Sequence, residues 1–154
     1  MRKFEIISEK ELLKNKELHI EDIKMPCRQT EKSAGYDFYL PYDVTIKVGK
    51  SCIVKTGIKV MLEDDEVLEI YIRSSMAIKR KLLLLNQVGI IDADYYNNID
   101  NEGHIMVALF NCGTEDVVLT RGERICQGVF KKFLITNDDK VQAKRTGGIG
   151  STLK

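Results

Sequence analysis

Three things are scarce in this 154-residue sequence: charge of one sign, long apolar runs and closely spaced metal-binding residues. The net charge is +1, from 24 basic and 23 acidic residues, so no global field steers the chain toward nucleic acid or an anionic membrane. No apolar run approaches the roughly 18–20 residues that span a bilayer, and the N-terminus lacks the apolar stretch of a signal peptide. We therefore expect a cytoplasmic protein without a nucleic-acid or membrane partner.

Metal-binding and disulfide patterns are also missing. The four cysteines are scattered along the chain: Cys27, Cys52, Cys112 and Cys126. None forms a Cys-x-x-Cys pair, and His19 and His104 lie far from all of them in sequence, which argues against structural zinc. A reducing compartment disfavours disulfides. Because Cys126 lies in an apolar run, we predict that it is a small core residue.

What the sequence does contain is a series of short β-type segments. Residues 67–72 and 105–109 are the clearest, and a further strand is predicted at 125–135. One helical pattern covers 74–79, where the serine pair at its start supplies N-cap residues. Many short strands with one short helix predict an all-β fold: a sandwich, jelly roll or barrel.

The sequence predicts one domain followed by a tail. We predict a single β domain over residues 1–136, with an N-terminal arm at about 1–25. Residues 9–24 fit either a helical turn or an extended arm. The segment 137–154 is polar and glycine-rich, and it lacks the apolar surface to fold alone. It is therefore predicted to be mobile until something orders it.

The segment 86–95 is the most informative one. An apolar run broken by Gly89 leads directly into Asp92 and Asp94, and Tyr95 follows. On a strand, a spacing of two places both carboxylates on one face. A carboxylate at the end of a buried strand is costly unless it is hydrogen-bonded or has chemistry to perform. The simpler interpretation is a strand end followed by a polar turn.

Two polar segments could bind an anion. Arg73, Ser74 and Ser75 follow a predicted strand and open the short helix, which brings a guanidinium, two hydroxyls and free N–H groups together. The simpler interpretation is an N-cap beside a solvated arginine. The glycine-rich segment 145–152 would let backbone approach phosphate oxygens, although an unstructured C-terminus explains it equally.

Two further segments carry isolated polar residues. Residues 34–37 place Asp37 after a glycine at the start of a strand, where an Asx turn is the simpler explanation. Residues 122–127 form a turn that feeds a strand. In that strand Gln127 is a polar side chain in an apolar run and needs a partner.

Taken in order, five segments resemble the five motifs of the trimeric dUTPase family. They are Ala-Gly-Tyr-Asp at 34–37, Arg-Ser-Ser at 73–75, Gly-Ile-Ile-Asp-Ala-Asp-Tyr at 89–95, Gly-Glu-Arg-Ile-Cys-Gln at 122–127 and Gly-Gly-Ile-Gly-Ser-Thr at 147–152. The spacing in the third and fifth motifs looks like variants from Gram-positive bacteria and their phages. The resemblance implies a jelly-roll-like β domain that assembles as a homotrimer with shared active sites. It also implies hydrolysis of dUTP to dUMP and pyrophosphate, which limits uracil incorporation into DNA and supplies dUMP for dTMP synthesis.

The resemblance also assigns roles to residues. Asp92 would orient the water that attacks the α-phosphorus in line with the leaving pyrophosphate. Mg²⁺ would be held mainly by the triphosphate, with Asp37 binding one of its waters. Tyr95 would pack under the deoxyribose, and Asn86 would assist backbone groups at the uracil edge. The residues implied in substrate binding are Arg73, Ser74, Ser75, Asn86, Gly89, Ile91, Tyr95, Tyr96, Gln127, Arg145, Gly148, Ile149, Ser151 and Thr152.

The last motif departs from the family pattern. Ile149 stands where the family usually has a phenylalanine that covers the base, and loss of stacking costs roughly 1–3 kcal/mol per base in related contexts. We hypothesise that Tyr96 supplies part of that surface. Only two residues follow Thr152. The tail is still expected to reach the phosphates and close over the active site, with looser closure than in the family.

Three other functions compete with this prediction. A dCTP deaminase of the same fold would need a carboxylate beside C4 of the base, and no Thr-Leu-Glu-type segment follows the β core. A regulator that binds a protein partner in a nucleotide-dependent way would use residues 96–102 or the N-terminal 25 residues. A purely structural β domain would not require all five polar clusters.

Overall fold

The structure is a computed structural model that describes residues 1–143, 145 and 147–148. Within these residues the strands are β1 (Lys3–Ile6), β2 (Tyr36–Tyr39), β3 (Val44–Ile46), β4 (Ser51–Lys55), β5 (Ile58–Met61), β6 (Glu66–Ile72), β7 (Leu82–Leu84), β8 (Gly89–Asp92), β9 (Met106–Asn111), β10 (Val117–Leu119) and β11 (Arg124–Lys132). The helices are α1 (Glu9–Leu12) and α2 (Ser74–Arg80), with 3-10 turns at Ile20–Asp22 and Ala93–Tyr95. The predicted all-β architecture is confirmed.

The strands pair into antiparallel sheets around one core. The largest sheet has the order β2-β11-β6-β8, and a second has the order β4-β9-β7. Two smaller sheets pair β1 with β5 and β10 with β3. The predicted strands at 67–72 and 105–109 correspond to β6 and β9, and burial alternates residue by residue along β9, as period-two strands require.

The core lies between these sheets. Its fully buried residues include Phe38, Leu40, Leu68, Leu109 and Ile125. Cys126 is also fully buried, and burial raises the pKa of its thiol well above the usual range. The prediction that Cys126 is a core residue is therefore confirmed.

Two details of the sequence prediction are wrong, and one alternative that it left open is resolved. The N-cap of α2 is Arg73, so both serines lie inside the helix, and no side chain caps its first turn. The N-terminal arm contains α1, capped by the Ser8 hydroxyl, so one of the two alternatives for residues 9–24, a helical turn, is confirmed at Glu9–Leu12, and the fold has a second short helix beyond the single one predicted. Finally, β11 ends at Lys132 and not at residue 135, because its partner β6 ends its pairing there at Glu66.

One strand organises the rest of the molecule. β6 pairs with β8 on one side, with Val67 opposite Asp92, and with β11 on the other, with Tyr71 opposite Gln127. In turn β11 pairs with β2, with Gln127 opposite Asp37. Motif residues that are distant in sequence are therefore placed on both sides of the same strand. No helix in the described residues is long and apolar enough to cross a membrane.

Candidate active site

A cavity of about 270 Å³ opens where β6 and β8 face β7 and β9. Its apolar wall is formed by Ile70, Leu84, Ile90, Ile91, Met106 and Val107. Its polar side chains are Asn86, Asp92, Tyr95 and Arg145. Ligand cavities usually measure about 300–1,000 Å³, so this one suits a nucleoside-sized group better than a complete nucleoside triphosphate.

Two carboxylates at the rim of the cavity share one arginine. Arg145 Nη2 donates to Asp92 Oδ2 at 2.5 Å, and Arg145 Nε donates to Asp94 Oδ1 at 2.9 Å. Asp92 is the last residue of β8, whereas Asp94 lies in the 3-10 turn that follows, so the two acids do not share a strand face. The Asp92 side chain is 48% exposed while that of Arg145 is 13% exposed, so water has access to the carboxylate.

Tyr95 forms a fixed side wall of the cavity. Its side chain is buried, and the Arg145 guanidinium lies 5.6 Å from the centre of its ring. The phenol donates to the carbonyl oxygen of His104 at 3.0 Å. Because burial raises the pKa of Tyr95, the phenol keeps its proton at neutral pH and stays a donor.

The glycine of the third motif leaves room for a ligand. A Cβ at Gly89 would lie 3.1 Å from Ile70 Cβ and 3.8 Å from Asn86 Nδ2. A side chain at this position would therefore narrow the cavity beside the Asn86 amide. Ile91 and Gly148 also line the cavity. We call Asn86, Gly89, Ile91, Asp92, Tyr95, Arg145 and Gly148 together the Asp92 cluster.

A second group of motif residues surrounds Asp37. The buried Asp37 carboxylate accepts from Arg124 Nη1 at 3.1 Å through Oδ2, and Arg73 Nε lies 3.1 Å from Oδ1. Arg73 also donates to the carbonyl oxygen of Arg124 at 3.1 Å. The sequence does not indicate the Arg124 contact, since a side chain on a neighbouring strand 87 residues away gives no local pattern. We call Asp37, Arg73, Ser75, Arg124 and Gln127 the Asp37 cluster.

Gln127 explains the glycine of the first motif. A Cβ at Gly35 would lie only 2.3 Å from Gln127 Oε1 and 3.1 Å from its Cδ. The amide of Gln127 therefore occupies the space that any larger residue at position 35 would take. A change at Gly35 would move the amide away from its neighbour Asp37.

The Asp37 cluster borders a cation-rich cavity of about 370 Å³. Its charged lining residues are Arg73, Lys79, Arg80, Arg124 and Glu123. Ser75 also lines this cavity, whereas Ser74 is exposed at the start of α2. The glutamate is engaged by Thr120, whose backbone N–H and hydroxyl both donate to it. Four cations against one anion make this cavity suitable for phosphate groups.

The two clusters are far apart within one chain. Measured along β6, the register places Val67 and Tyr71 about 13 Å apart at about 3.3 Å per residue. Across the sheet, Asp92 and Asp37 are three strand spacings apart, or about 14 Å. Their Cα atoms are therefore separated by about 20 Å. A single chain does not bring all the predicted site residues together.

Besides Ser74, four predicted residues are not placed in either cluster. The hydroxyl of Tyr96 donates to Glu5, and its ring faces the Lys59 ammonium at 5.3 Å. This side chain therefore packs against β1 and β5 and does not line the cavity, which is contrary to the hypothesis that it covers the base. Ile149, Ser151 and Thr152 lie outside the described residues.

The donor set argues against a metal held by protein ligands alone. Among the described residues, no three His, Cys, Asp or Glu side chains form a metal-binding group. Each Asp37 oxygen already meets one arginine and keeps a further lone pair. This arrangement fits a hydrogen bond from a metal-bound water, and it does not fit direct coordination in a protein cage.

Comparisons with known proteins agree with the motif pattern. A family model described as dUTPase matches residues 21–153. The deoxyuridine 5'-triphosphate nucleotidohydrolase of Lactococcus lactis is 48% identical over 132 residues, which cover 84% of this chain and 88% of that protein. The crystal structure of dUTPase from Streptococcus mutans is 40% identical, with a TM-score of 0.76 over 87% of this chain and 98% of that one. A dUTPase from phage phi11 of S. aureus has a TM-score of 0.72 at 17% identity over 93% of this chain and 97% of that one, which shows a likeness of fold.

Proposed function

The chain belongs to the dUTPase family, and from that premise we propose that it hydrolyses dUTP to dUMP and pyrophosphate. The observation that carries this proposal is Asp92. It is a half-exposed carboxylate at the rim of a nucleoside-sized cavity, beside a tyrosine wall and an amide. A water bound to it would face a phosphate that leaves the cavity.

The chemistry follows from the charge of these groups. An ionised Asp92 accepts a proton from water and directs the oxygen lone pair at the α-phosphorus. Pyrophosphate departs on the opposite side, so the attack is in line. Arg145 holds Asp92 and Asp94 in this structure. When phosphates bind, they offer the Arg145 guanidinium a more highly charged anionic partner than the two carboxylates. Transfer of Arg145 to the phosphates would leave Asp92 free to hold water.

The Asp37 cluster supplies the phosphate side. Arg73, Ser75 and Gln127 would contact the triphosphate, with Ser74 at the exposed start of α2. Mg²⁺, bound mainly by the triphosphate, would neutralise charge that builds on the leaving pyrophosphate. Asp37 would accept a hydrogen bond from one of its waters. The residues of the tail assigned to the phosphates are Arg145, Ser151 and Thr152.

Uracil selection would depend on the Asn86 side of the cavity. Asn86 and the backbone around Gly89 offer donors and acceptors to one edge of a base. Cytosine reverses one donor and one acceptor, which leaves buried polar groups unpaired. Mismatches of this kind lower kcat/KM for the wrong base relative to the right one by up to about 10⁴–10⁵-fold.

The distance between the clusters supports a homotrimer with shared sites. Because Asp92 and Asp37 are about 20 Å apart in one chain, a compact triphosphate would meet Asp92 of one subunit and Arg73 of its neighbour. Mixed trimers test this idea. Asp92→Asn and Arg73→Ala, each inactive alone, would recover about a quarter of wild-type activity after unfolding and refolding together at equal amounts.

Light scattering of each variant is the control for that experiment, since both must remain trimeric. Mixtures that stay as inactive as their components would contradict sharing, as would an active monomer.

The reaction itself is tested by pyrophosphate release from dUTP, compared with UTP, dCTP and dTTP. We expect release from dUTP to be far faster than release from the other three nucleotides at equal enzyme concentration. Ammonia formed from dCTP would instead identify a deaminase. Pyrophosphate released equally from all four nucleotides would exclude a dUTP-specific enzyme.

A second role in nucleotide-dependent protein binding stays a prediction, as does a cytoplasmic location. The segment 96–102, which was predicted to offer a partner surface, makes contacts within its own chain. Ser8 donates to Glu102, and Lys14 Nζ donates to the carbonyl oxygen of Asp100 at 3.1 Å. These contacts favour a role inside the catalytic domain.

A further inference from the structure

The loop at residues 97–104, which we call the asparagine loop, connects the tyrosine wall to β9. Asn98 folds the loop back on itself: its Nδ2 donates to the carbonyl oxygen of Tyr95 at 2.8 Å. Its Oδ1 accepts from the backbone N–H groups of Asp100 and Asn101 at 3.0 and 3.2 Å. Such side-chain bonds replace the backbone bonds that a strand or helix would provide, so the loop has a defined shape.

Asn101 uses this shape to hold the phenol of Tyr95. Its Nδ2 donates to the Tyr95 hydroxyl at 2.8 Å, and that hydroxyl donates in turn to His104. The Oδ1 of Asn101 accepts from Asn98 Nδ2 at 2.8 Å and from the Gly103 N–H at 3.1 Å. The amide is thus fixed by three bonds, and the phenol both donates and accepts, which prevents the ring from tilting.

The same loop receives the C-terminal tail. The Gly148 N–H donates to Asp100 Oδ2 at 3.1 Å. A Cβ at Gly148 would lie 3.3 Å from Asn101 Nδ2, so the backbone of the tail passes directly over this amide. Arg145, three residues earlier in the tail, lies over the Tyr95 ring. Asn101 is therefore bonded to the wall of the cavity and lies beside the backbone of the tail at Gly148.

The N-terminal arm anchors the loop from behind. Ser8 donates to Glu102 through its backbone N–H at 3.0 Å and through its hydroxyl. Lys59 Nζ lies 3.3 Å from the same carboxylate. These partners, with the Ser8 hydroxyl as the main cause, lower the pKa of Glu102, so it is ionised at neutral pH. These contacts tie the loop to the N-terminal arm and to β5.

We propose that Asn101 is a positioning residue for the sugar of the nucleotide, acting through the Tyr95 hydroxyl. This inference rests on the proposed dUTP hydrolysis. A ring held upright against the deoxyribose leaves no space for a 2′-hydroxyl, whereas a ring free to tilt does. Discrimination between dUTP and UTP therefore depends on a residue that touches neither nucleotide base nor phosphate.

The test is the ratio of kcat/KM for dUTP to kcat/KM for UTP in Asn101→Ala. Loss of one hydrogen bond to a buried hydroxyl predicts that this ratio falls about tenfold. The matched control is Ile99→Ala, since Ile99 is 90% exposed in the same loop, and its ratio is expected to equal that of wild type. A general loosening of the loop would lower activity on both nucleotides without changing the ratio, which would overturn the proposal.

A double-mutant cycle identifies the route. Tyr95→Phe keeps the ring and removes the hydroxyl, so it is expected to lower the ratio by a similar factor. Asn101→Ala added to Tyr95→Phe is then expected to lower it little further, because the shared contact is already lost. Independent, multiplicative losses would overturn the proposal.

Two further outcomes are decisive. If Asn101→Ala does not fold, the proposal is tested by Tyr95→Phe alone. An unchanged ratio of kcat/KM for dUTP to kcat/KM for UTP in that variant would mean that the hydroxyl has no positioning role. If wild-type protein releases no pyrophosphate from dUTP, the proposed function fails. Active wild type with an unchanged ratio in Asn101→Ala contradicts only the role of Asn101.

Discussion

Asp92 and Asp37 are both carboxylates held by arginines, yet their surroundings differ. Asp37 is buried between Arg73 and Arg124, which belong to the strands and turns of the domain itself. Asp92 is half exposed, and its arginine, Arg145, is delivered by the tail. A carboxylate fixed by partners within its own domain suits a task that stays the same throughout the reaction, such as accepting a hydrogen bond from a metal-bound water. One fixed by a removable partner suits a task that changes during the reaction.

The comparison is tested most strongly by removing each charge in turn. Asp92→Asn keeps the size of the side chain but cannot accept a proton, so kcat is expected to fall about 10³-fold. The midpoint of thermal unfolding is expected to change little, because the side chain is half exposed. Pyrophosphate release and calorimetry measure the two effects.

Asp37→Ala is the matched control for stability. It leaves two arginines facing each other without their carboxylate, so we expect a loss of about 2 kcal/mol in the free energy of unfolding, below the 3–5 kcal/mol of fully buried pairs because both arginines are partly exposed. If Asp92→Asn destabilised the fold as much as Asp37→Ala, the distinction between the two carboxylates would be lost.

Acid is expected to weaken the side of the molecule that carries Tyr95. Burial lowers the pKa of His104 to about 4, and its Nε2 accepts from the Gly57 N–H at 2.9 Å. Between pH 6.5 and 4, His104 binds a proton in the unfolded chain but not in the folded chain. The free energy of unfolding therefore decreases as pH falls through this range, by about 3 kcal/mol.

Urea unfolding at pH 7 and pH 5 measures this dependence. His104→Gln offers an acceptor to Gly57 but does not titrate, so its stability should change much less between the two values. The Asp37 side is paired with arginines, which keep their charge throughout. An equally steep dependence in His104→Gln would place the titrating group elsewhere.

The tail arginine gives the third test. Arg145→Ala is expected to lower kcat/KM for dUTP about 10²-fold, because a cation that would move to the phosphates is removed. Arg145→Lys keeps the charge but not the two-pronged contact with Asp92 and Asp94, so an intermediate value is expected. The unfolding midpoint of both variants should equal that of wild type. A large loss of stability in Arg145→Ala would mean that the tail is a permanent part of the Asp92 cluster.

Local pattern was sufficient to predict most of the fold. Alternation located β6 and β9, and the apolar run correctly placed Cys126 in the core. Pattern left the conformation of the N-terminal arm open, since a helical turn and an extended arm both fitted residues 9–24. The N-terminal arm folds α1 with Ser8 as its cap, and that serine also contacts Glu102, 94 residues away.

The candidate site was predicted as a set of residues, without its arrangement. Motif order identified Asp92 and Asp37, but only strand register reveals that they are about 20 Å apart in one chain. The spacing of two predicts Asp92 and Asp94 on one strand face, whereas Asp94 lies in the turn after β8 and shares Arg145 with Asp92. Asn101 has no recognisable signal in the sequence, because an asparagine in a polar loop gives none until its partner across the loop is known.

The length of β6 has a consequence for how the enzyme can change in evolution. A two-residue insertion in β6 would keep every side chain on its own face, so the domain could still fold with a full core. It would nevertheless move the Asp92 and Asp37 clusters apart by about 7 Å. In each assembled site the contacts to the nucleoside and the contacts to the phosphates would then be displaced relative to each other. We therefore expect related sequences to vary in length in the turn before β6 and to keep a constant number of residues between positions 67 and 73.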